Sequence, residues 1–463
     1  MPNLFAVPNT DSSKHSSTHR HPKFIDGTHK GKYPEITTLY QLFMDNVIKN
    51  PEDYFLGARQ CSKDADVFGH YKWISTTEAA TIVENLGAGL ENVFKVYAPD
   101  INPVTNQQPL GIFSMSRPEW MLTELAGFRY SKYSVGIWDD VETEQYESQI
   151  NEADIQVLVC SIDKISRLLS RIEMMPKLKV IISMDNFDLC KPTVTSRVFS
   201  LDDVSGLHTM AKSLDITLFD FKAVIEMGKL NPTPPVLPKP SDYSMLLFKQ
   251  EYDKVSTGIL HTHQSSLHCS RSMYLSLDLG ADVVHLSHLP LAKSFEHSVI
   301  YMLMFSSVCI GFHSGSSKRI LEDMQFLHPT ILVSLPAHLE ELHGTLVSKV
   351  NDLYPKQQNN YYGNTRDSRH IVFQKSQWDS NPENLRMCPG IDFRLRNFPK
   401  KDYKVTDSPN PRGEVMIRAK SKFSSYYKQP EKTDESMDGE WFATGRSGTV
   451  TESTNEVYFR ADF

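Results

Sequence analysis

Cysteine is scarce in this sequence, and no two cysteines stand close enough to form a known motif. The six thiols are scattered along the 463 residues, at Cys61, Cys160, Cys190, Cys269, Cys309 and Cys388. Without a Cys-x-x-Cys pair, a zinc site or a disulfide framework is disfavoured, and the pattern predicts reduced thiols. We therefore predict no metal site and expect a cytoplasmic protein.

A long apolar run and an excess of basic residues are also missing. The longest apolar run, Val299–Phe312, is too short to span a bilayer and is interrupted by two serines. Residues 1–35 contain no apolar core of a signal peptide, and the C-terminal Ala461-Asp462-Phe463 is not a Ser-Lys-Leu type of address. The formal net charge of −7 is unfavourable for a general nucleic-acid binder. We expect neither a transmembrane span nor a nucleic-acid partner.

The residues that are present indicate a layered α/β protein. Hydrophobic residues make up 40% of the chain, enough for a large core divided among two or three domains or subdomains. Short apolar stretches alternate with amphipathic helical patterns and predict strands at 55–59, 110–114, 135–138, 157–160 and 180–184. Such alternation predicts parallel crossover connections and a sheet covered by helices on both faces.

Composition divides the chain into six segments. Residues 1–35 are rich in Ser, His, Lys and Pro and are predicted to form a disordered arm. The prolines between 231 and 242 predict a stiff linker. The other segments are predicted as a first α/β subdomain, a second α/β subdomain, a loop or degenerate remnant, and a β-rich subdomain, over residues 36–230, 243–346, 347–386 and 387–463.

A series of short segments, in a fixed order along the chain, carries a resemblance to a known family. The segments are Arg117–Trp120, Tyr146–Ala153, Pro176–Asp185, Leu289–Ala292, Phe295–Glu296, Ile310–Phe312, Leu321–Met324, Pro329–Ile331, Cys388–Gly390, Pro411–Arg418, Tyr426–Lys428 and Trp441–Gly445. Together they resemble the eukaryotic long-chain acyl-CoA synthetases of the adenylate-forming superfamily. The resemblance implies a layered αβα adenylate-forming N-terminal domain with a small β-rich segment near the C-terminus. Because the chain stops near the family's hinge, we expect the C-terminal lid domain to be absent.

The resemblance implies a two-step activation of a fatty acid. In the family, the fatty acid carboxylate attacks the α-phosphate of ATP to give an acyl-adenylate, and the CoA thiol then attacks the acyl carbon. Both steps need phosphate charge held by preorganised donors and Mg²⁺. ATP, Mg²⁺ and CoA are therefore implied by the resemblance alone, and a fatty acid or acyl-CoA is implied as the ligand.

The family's phosphate loop is altered in this sequence. In the family, a loop rich in Ser, Thr and Gly lets backbone N–H groups approach the phosphates. The corresponding stretch, 248–258, carries Glu251 and Asp253, and Lys249 and Lys254 compensate for part of this charge. Two unit charges of one sign about 4 Å apart repel by about 4 kcal/mol at an effective dielectric constant of about 20. The acidic residues therefore predict weak ATP binding. The remnant of the motif is Ser256, Thr257 and Gly258.

Other family positions near the expected site are also changed. Lys293 replaces a histidine, Ala337 replaces an arginine, and Arg446 replaces an aspartate that accepts ribose hydroxyl protons, which a cation cannot do. The family segment that supplies adenine-binding and Mg²⁺-binding residues is not found between 345 and 386, and the adenylation lysine of the lid domain is missing. The motif remnants near the expected site are Lys293, Glu296, Thr444, Gly445 and Arg446.

Three functions are compatible with these observations. The first is a divergent member of the long-chain fatty acid–CoA ligase family with impaired or lost adenylation, for which no catalytic residue is assigned. The second is an active ligase whose site is rebuilt from other residues or completed by a second chain. The third is a non-catalytic partner or regulator, in a homodimer or in a heterodimer with an intact synthetase, with peripheral attachment to a lipid-metabolising organelle as one location. A serine hydrolase is disfavoured because the sequence has no Gly-x-Ser-x-Gly elbow.

Overall fold

In the residues that the structure describes, the fold consists of three β-sheets of eight, seven and six strands, with helices packed between and around them. The structure is a computed structural model, and every structural statement below concerns the residues it describes. These are 5–7, 12–20, 36–61, 67–187, 201–249, 257–277, 279, 283–334, 344, 371–372, 390–453 and 456–462.

The eight-stranded sheet has a parallel centre. Its strands, in spatial order, are β18 (Ser425–Tyr426), β11 (Thr257–Thr262), β10 (Tyr243–Lys249), β6 (Tyr133–Ile137), β5 (Pro109–Phe113), β7 (Val157–Cys160), β8 (Val180–Ser183) and β9 (Thr217–Asp220). The strands from β10 to β9 run parallel, whereas β11 is antiparallel to β10 and β18. Val157 and Val159 enter one hydrophobic core and Leu158 enters another, so apolar packing covers both faces of the sheet.

The other two sheets differ in strand direction. The six-stranded sheet is parallel except for the hairpin of its last two strands, in the order β15 (Ile371–Val372), β14 (Ile331–Leu332), β12 (Val283–Ser287), β13 (Val308–Phe312), β3 (Tyr54–Cys61) and β4 (Phe68–Ser75). The seven-stranded sheet is antiparallel and consists of β1 (Phe5–Val7), β2 (Thr18–Arg20), β16 (Ile391–Arg396), β17 (Arg412–Ala419), β19 (Met437–Asp438), β20 (Trp441–Ser453) and β21 (Glu456–Asp462).

Helices connect most of the parallel strands. Side chains of Thr38, Ser75 and Thr262 form capping boxes that satisfy the first N–H groups of three of them. The helices are α1 (Leu39–Lys49), α2 (Thr76–Tyr97), α3 (Pro118–Phe128), α4 (Thr143–Glu152), α5 (Ile162–Leu169), α6 (Leu201–Ser213), α7 (Phe221–Leu230), α8 (His263–Ser276), α9 (Ser294–Leu303), α10 (Ile320–Leu327) and α11 (Pro430–Ser436). Within the described ranges, no helix combines the length and the apolar character that a membrane crossing requires.

The predicted layered α/β fold is confirmed, but the sheets do not follow the expected order of subdomains. All five predicted strand positions overlap observed strands. Both large sheets, however, take strands from either side of the proline-rich segment 231–242: β10 pairs with β6, and β13 pairs with β3. The backbone hydrogen bonds of each sheet therefore join the two predicted subdomains. The boundary at 231–242 stays a prediction, and it does not coincide with a boundary between the sheets.

The prediction of a disordered arm is wrong for residues 12–20. This stretch lies along the edge of β16, where β2 forms antiparallel pairs with Asp392 and Phe393. His19 is buried and stacks on Phe393 with 5.0 Å between ring centroids. Arg20 donates two hydrogen bonds to the carboxylate of Asp392, at 2.6 and 2.7 Å. Composition alone could not predict this order, because the edge that satisfies the backbone lies more than 370 residues further along the chain.

Substitution of Arg20 tests how firmly this strand is attached. We expect Arg20→Ala to speed amide exchange of residues 18–20 about tenfold or more, since a charge-assisted hydrogen bond contributes about 1.5–3 kcal/mol. Hydrogen–deuterium exchange measured by mass spectrometry checks this. The exposed Lys14→Ala is the matched control and is expected to leave the exchange unchanged. Equal exchange rates in the two variants would contradict the importance of the Arg20 contact.

Candidate functional site

A cleft opens beyond the carboxyl ends of β6 and β10, next to the first turn of α9. Its volume is about 650 Å³. In open α/β sheets, ligands bind outside the carboxyl ends of the strands, so this position is the expected one for a site. The apolar walls include Trp138, Leu247, Phe248, Ile259 and Phe295, and the polar lining includes Gln145, Lys249, His261, Lys293 and Ser294.

Lys293 is held in this cleft by its backbone and by an aromatic ring. It is the N-cap residue of α9, and its N–H donates to the carbonyl of Pro290 at 3.0 Å. Its ammonium lies 4.0 Å from the centroid of the Trp138 ring. A cation over tryptophan is stabilised by about 0.5–2 kcal/mol. The structure thus places Lys293, which the sequence had indicated as a site residue, in the cleft. It also identifies Trp138 as the partner of Lys293, whereas the sequence had indicated only that Trp138 ends a strand.

The charged side chains in the described lining of the cleft are positive. Lys249 and Lys293 both line it, and no aspartate or glutamate is found among its described lining residues. Burial, together with the charge of nearby His297, lowers the pKa of His261 to about 4, so this ring is neutral at pH 7. The cleft therefore presents two ammonium groups within mainly apolar walls.

Part of the predicted phosphate loop lies outside the described residues. Glu251, Asp253, Lys254 and Ser256 belong to this part, so the predicted repulsion of phosphate stays a prediction. Ala337, another changed family position, also lies outside the described residues. The remnant that is described consists of Thr257 and Gly258.

Thr257 and Gly258 begin β11 and have structural partners there. The Thr257 hydroxyl is buried and accepts a hydrogen bond from Nζ of Lys432 at 3.1 Å. A Cβ at Gly258 would lie only 3.0 Å from Leu246 and 3.1 Å from Tyr427, which explains glycine at this position by packing alone. Lys432 was not identified from the sequence, and it brings a positive charge to the end of the predicted loop.

Glu296 does not line the cleft, although it is only three residues from Lys293. Its side chain is fully buried, where Oε1 accepts a hydrogen bond from Ser287 at 2.7 Å and lies 3.0 Å from Nε2 of His285. These contacts tie α9 to β12. The sequence analysis did not identify His285 and Ser287 as partners of Glu296. Their spacing of two residues on one strand could have indicated that they share a face of the sheet.

The remnant Thr444–Arg446 forms a bulge in the seven-stranded sheet. These three residues lie opposite the single residue Val415 of β17, and Gly445 has a φ of 69°. The N–H of Gly445 donates to Oε1 of Glu414 at 3.0 Å, while Oε2 of Glu414 pairs with Arg396 at 2.6 Å. Arg446 itself is exposed, and none of the three bulge residues is among the described lining of the cleft.

The layered sheets have the fold of the N-terminal domain of adenylate-forming proteins. The N-terminal domain of FACL13 from Mycobacterium tuberculosis is similar in structure, with a TM-score of 0.64 and 10% identity. The match covers 92% of this chain and 100% of the FACL13 domain. The A domain of a carboxylic acid reductase from Segniliparus rugosus, in complex with AMP and a co-purified carboxylic acid, matches with a TM-score of 0.75 and 15% identity over 94% of this chain and 74% of its own. Likeness at this level establishes the fold.

Comparison of the sequence with known proteins finds relatives at 26–27% identity. Fatty acyl-CoA synthetase A of Dictyostelium discoideum is 27% identical over 91% of this chain, and long-chain-fatty-acid–CoA ligase 5 of Mus musculus is 26% identical over 90%. The chain spans 70% of the first of these relatives, 67% of the second and 65% of a peroxisomal long-chain acyl-CoA synthetase 6 of Arabidopsis thaliana. No protein-family model matches the chain. The chain is a homologue, at 22–27% identity, of eukaryotic long-chain acyl-CoA ligases of the AMP-binding superfamily.

Proposed function

We propose that this chain binds a long-chain carboxylate in the Lys249/Lys293 cleft without converting it to an acyl-adenylate. The observation that carries the proposal is the composition of the cleft: two ammonium groups, mainly apolar walls and no acidic side chain among the described lining residues. An amphipathic monoanion matches that surface, because its head pairs with a lysine while its chain leaves water. The relatives' names, as fatty acid ligases, favour a fatty acid over other amphipathic anions.

The same cleft is poorly suited to Mg·ATP. Magnesium in nucleotide sites is held through one or two carboxylates, and the described lining residues supply none. Acidic residues in the loop, Glu251 and Asp253, would repel the phosphates.

The ribose end of a nucleotide also lacks its acceptor. Arg446 stands where the family has a carboxylate, and an arginine has no acceptor for hydroxyl protons. Glu414, a carboxylate at this bulge, is already engaged by the Gly445 N–H and by Arg396. Glu414 is also only 7% exposed, so its carboxylate is poorly placed to accept hydrogen bonds from ribose hydroxyls. These features support loss of adenylation.

Lys293 gives the direct test of binding. We expect Lys293→Glu to weaken dodecanoate binding about tenfold to a hundredfold, because an attractive charge-assisted contact becomes a repulsive one. Isothermal titration calorimetry in the absence of ATP measures this, and Lys293→Arg is expected to retain most of the affinity. The exposed Lys229→Glu on α7 is the control for the change in net charge. Equal affinities of all four proteins would remove Lys293 from the site.

Catalysis is tested separately. The purified chain is mixed with ATP, Mg²⁺, CoA and fatty acids of several lengths, and pyrophosphate and acyl-CoA are measured. We expect neither product above the background of a heat-denatured sample. Formation of acyl-CoA by the chain alone would reject the proposal and reinstate an active ligase, and formation only after addition of a second protein would favour a partner-completed site.

A further inference from the structure

A second cleft lies between the seven-stranded sheet and the beginning of α8. Its volume is about 550 Å³, and it shares no described lining residue with the Lys249/Lys293 cleft. Arg20 reaches it from β2, Arg418 from β17, and Ser265 from α8. Segments from the two ends and the middle of the chain therefore combine to form it.

This second cleft is basic within an acidic chain. Its described lining includes four basic and two acidic side chains, namely Arg20, Arg418, Lys420, Lys422, Asp392 and Glu440. The excess of two positive charges contrasts with the net charge of −7 for the whole chain. A basic concavity in such a background concentrates anions locally.

Asp392 holds the two arginines in fixed positions. It accepts hydrogen bonds from Nε and Nη2 of Arg20 at 2.6 and 2.7 Å, and from Nε and Nη2 of Arg418 at 3.3 and 2.7 Å. Nη1 of Arg418 lies 3.6 Å from the exposed carboxylate of Glu440. Burial would raise the pKa of Asp392, but the hydrogen bonds and charges of Arg20 and Arg418 together lower it. The carboxylate therefore stays ionised at neutral pH, and the guanidinium groups need little reorganisation to meet a ligand.

The two lysines supply the remaining positive charge. Nζ of Lys422 donates to the carbonyl of Glu440 at 3.2 Å, which holds this ammonium at the cleft, and Lys420 is exposed. The N–H groups of His263 and Ser265, at the beginning of α8, already have acceptors. The N–H of His263 donates to the carbonyl of Asp242, and the N–H of Ser265 donates to the side chain of Thr262. Recognition must therefore come from the basic side chains rather than from the helix end.

We propose that this second cleft binds a phosphate monoester, carried by a small soluble molecule or by a lipid headgroup. A phosphate monoester has a charge of about −1.5 to −2 at pH 7, which matches the excess of two positive charges. Its three terminal oxygens suit planar guanidinium groups and ammonium groups together. A carboxylate offers half that charge, and the acidic chain as a whole is unfavourable for nucleic acid.

Two probes distinguish the sources of the phosphate. Calorimetry with glycerol 3-phosphate tests a soluble ester, and co-sedimentation with phosphatidylcholine vesicles that contain phosphatidic acid tests a headgroup. We expect Lys420→Gln combined with Lys422→Gln to weaken binding of the effective probe about tenfold. The exposed pair Lys212→Gln and Lys229→Gln is the control for the same loss of charge elsewhere.

Each outcome bears on the proposal. Loss of glycerol 3-phosphate binding in the cleft variant alone supports a soluble ester, and loss of vesicle binding alone supports a lipid headgroup. If neither probe binds, or if both double variants lose binding equally, the cleft is a structural network of ion pairs and the proposal is overturned. Dodecanoate affinity is measured in the same variants and is expected to be unchanged, which separates this result from the test of the first cleft.

Discussion

Gly89→Ala is expected to lower the free energy of unfolding by about 3 kcal/mol or more. Helices α2 and α7 cross with their backbones in contact, and a Cβ at Gly89 would overlap the carbonyl group of Val224. Overpacking of a core costs about 1–3 kcal/mol when side chains can shift, and here the obstacle is backbone. Gly228→Ala on α7 meets the backbone of Asn85 and is expected to behave alike. Urea denaturation followed by circular dichroism measures the change.

The control for this prediction is another helical glycine with open space around it. A Cβ at Gly206 of α6 has no neighbour within 4 Å, and the residue is exposed. Because alanine favours a helix over glycine, Gly206→Ala is expected to raise the free energy of unfolding by about 0.5–1 kcal/mol. The two alanine variants should thus move stability in opposite directions. An unaffected Gly89→Ala would contradict the close crossing of α2 and α7, and a destabilised Gly206→Ala would show that alanine in a helix of this protein is unfavourable for another reason.

The second large effect is expected at Glu124, a buried carboxylate on α3. It accepts hydrogen bonds from Ser134 at 2.8 Å and Tyr301 at 2.5 Å and lies 2.8 Å from Nε2 of His297. Glu124→Leu leaves these three polar groups without their partner in the core, so we expect a loss of about 3–5 kcal/mol. Chemical denaturation measures it. Glu226→Leu, at an exposed position of α7, is the control and is expected to change stability by less than about 0.5 kcal/mol.

The pH dependence of stability gives a second readout for Glu124. Burial would raise its pKa, but the charge of His297 and the hydrogen bonds from His297, Tyr301 and Ser134 outweigh burial and lower the pKa. A carboxyl group with a lowered pKa stabilises the fold above its unfolded pKa of about 4.3, and this stabilisation is lost as pH falls through the folded value. We therefore expect the wild type to lose more stability than Glu124→Leu between pH 5 and acid pH. Parallel curves would contradict the ionised state.

The strands and helices were largely predictable, because they depend on local patterns. Apolar runs such as 157–160 and 180–184 became buried parallel strands. Pro118 falls at the first turn of α3, where its missing N–H has no helical partner to lose. These elements need no distant residue to be identified.

Long-range pairing was not predictable from composition. Residues 12–20 have the composition of a disordered segment, but the edge of β16 supplies their hydrogen bonds and Asp392 pairs with Arg20. The same limit applies to the sheets, where β3 lies beside β13 although about 250 residues separate them along the chain. The composition of one segment therefore predicts disorder wrongly when a distant part of the chain supplies the surface on which that segment is ordered.

The sequence by itself determined the fold class, and its resemblance to the family predicted that Lys293 and Arg446 stand in place of a histidine and an aspartate. It could do so because strand and helix periodicity and motif order are properties of neighbouring residues. The tertiary structure decided which of these residues act together. It placed Lys293 over Trp138 in a cleft, buried Glu296 against β12, and put Arg446 in a bulge of another sheet. The physical reason is that a site is made by packing of distant elements, and spacing along the chain does not contain that geometry.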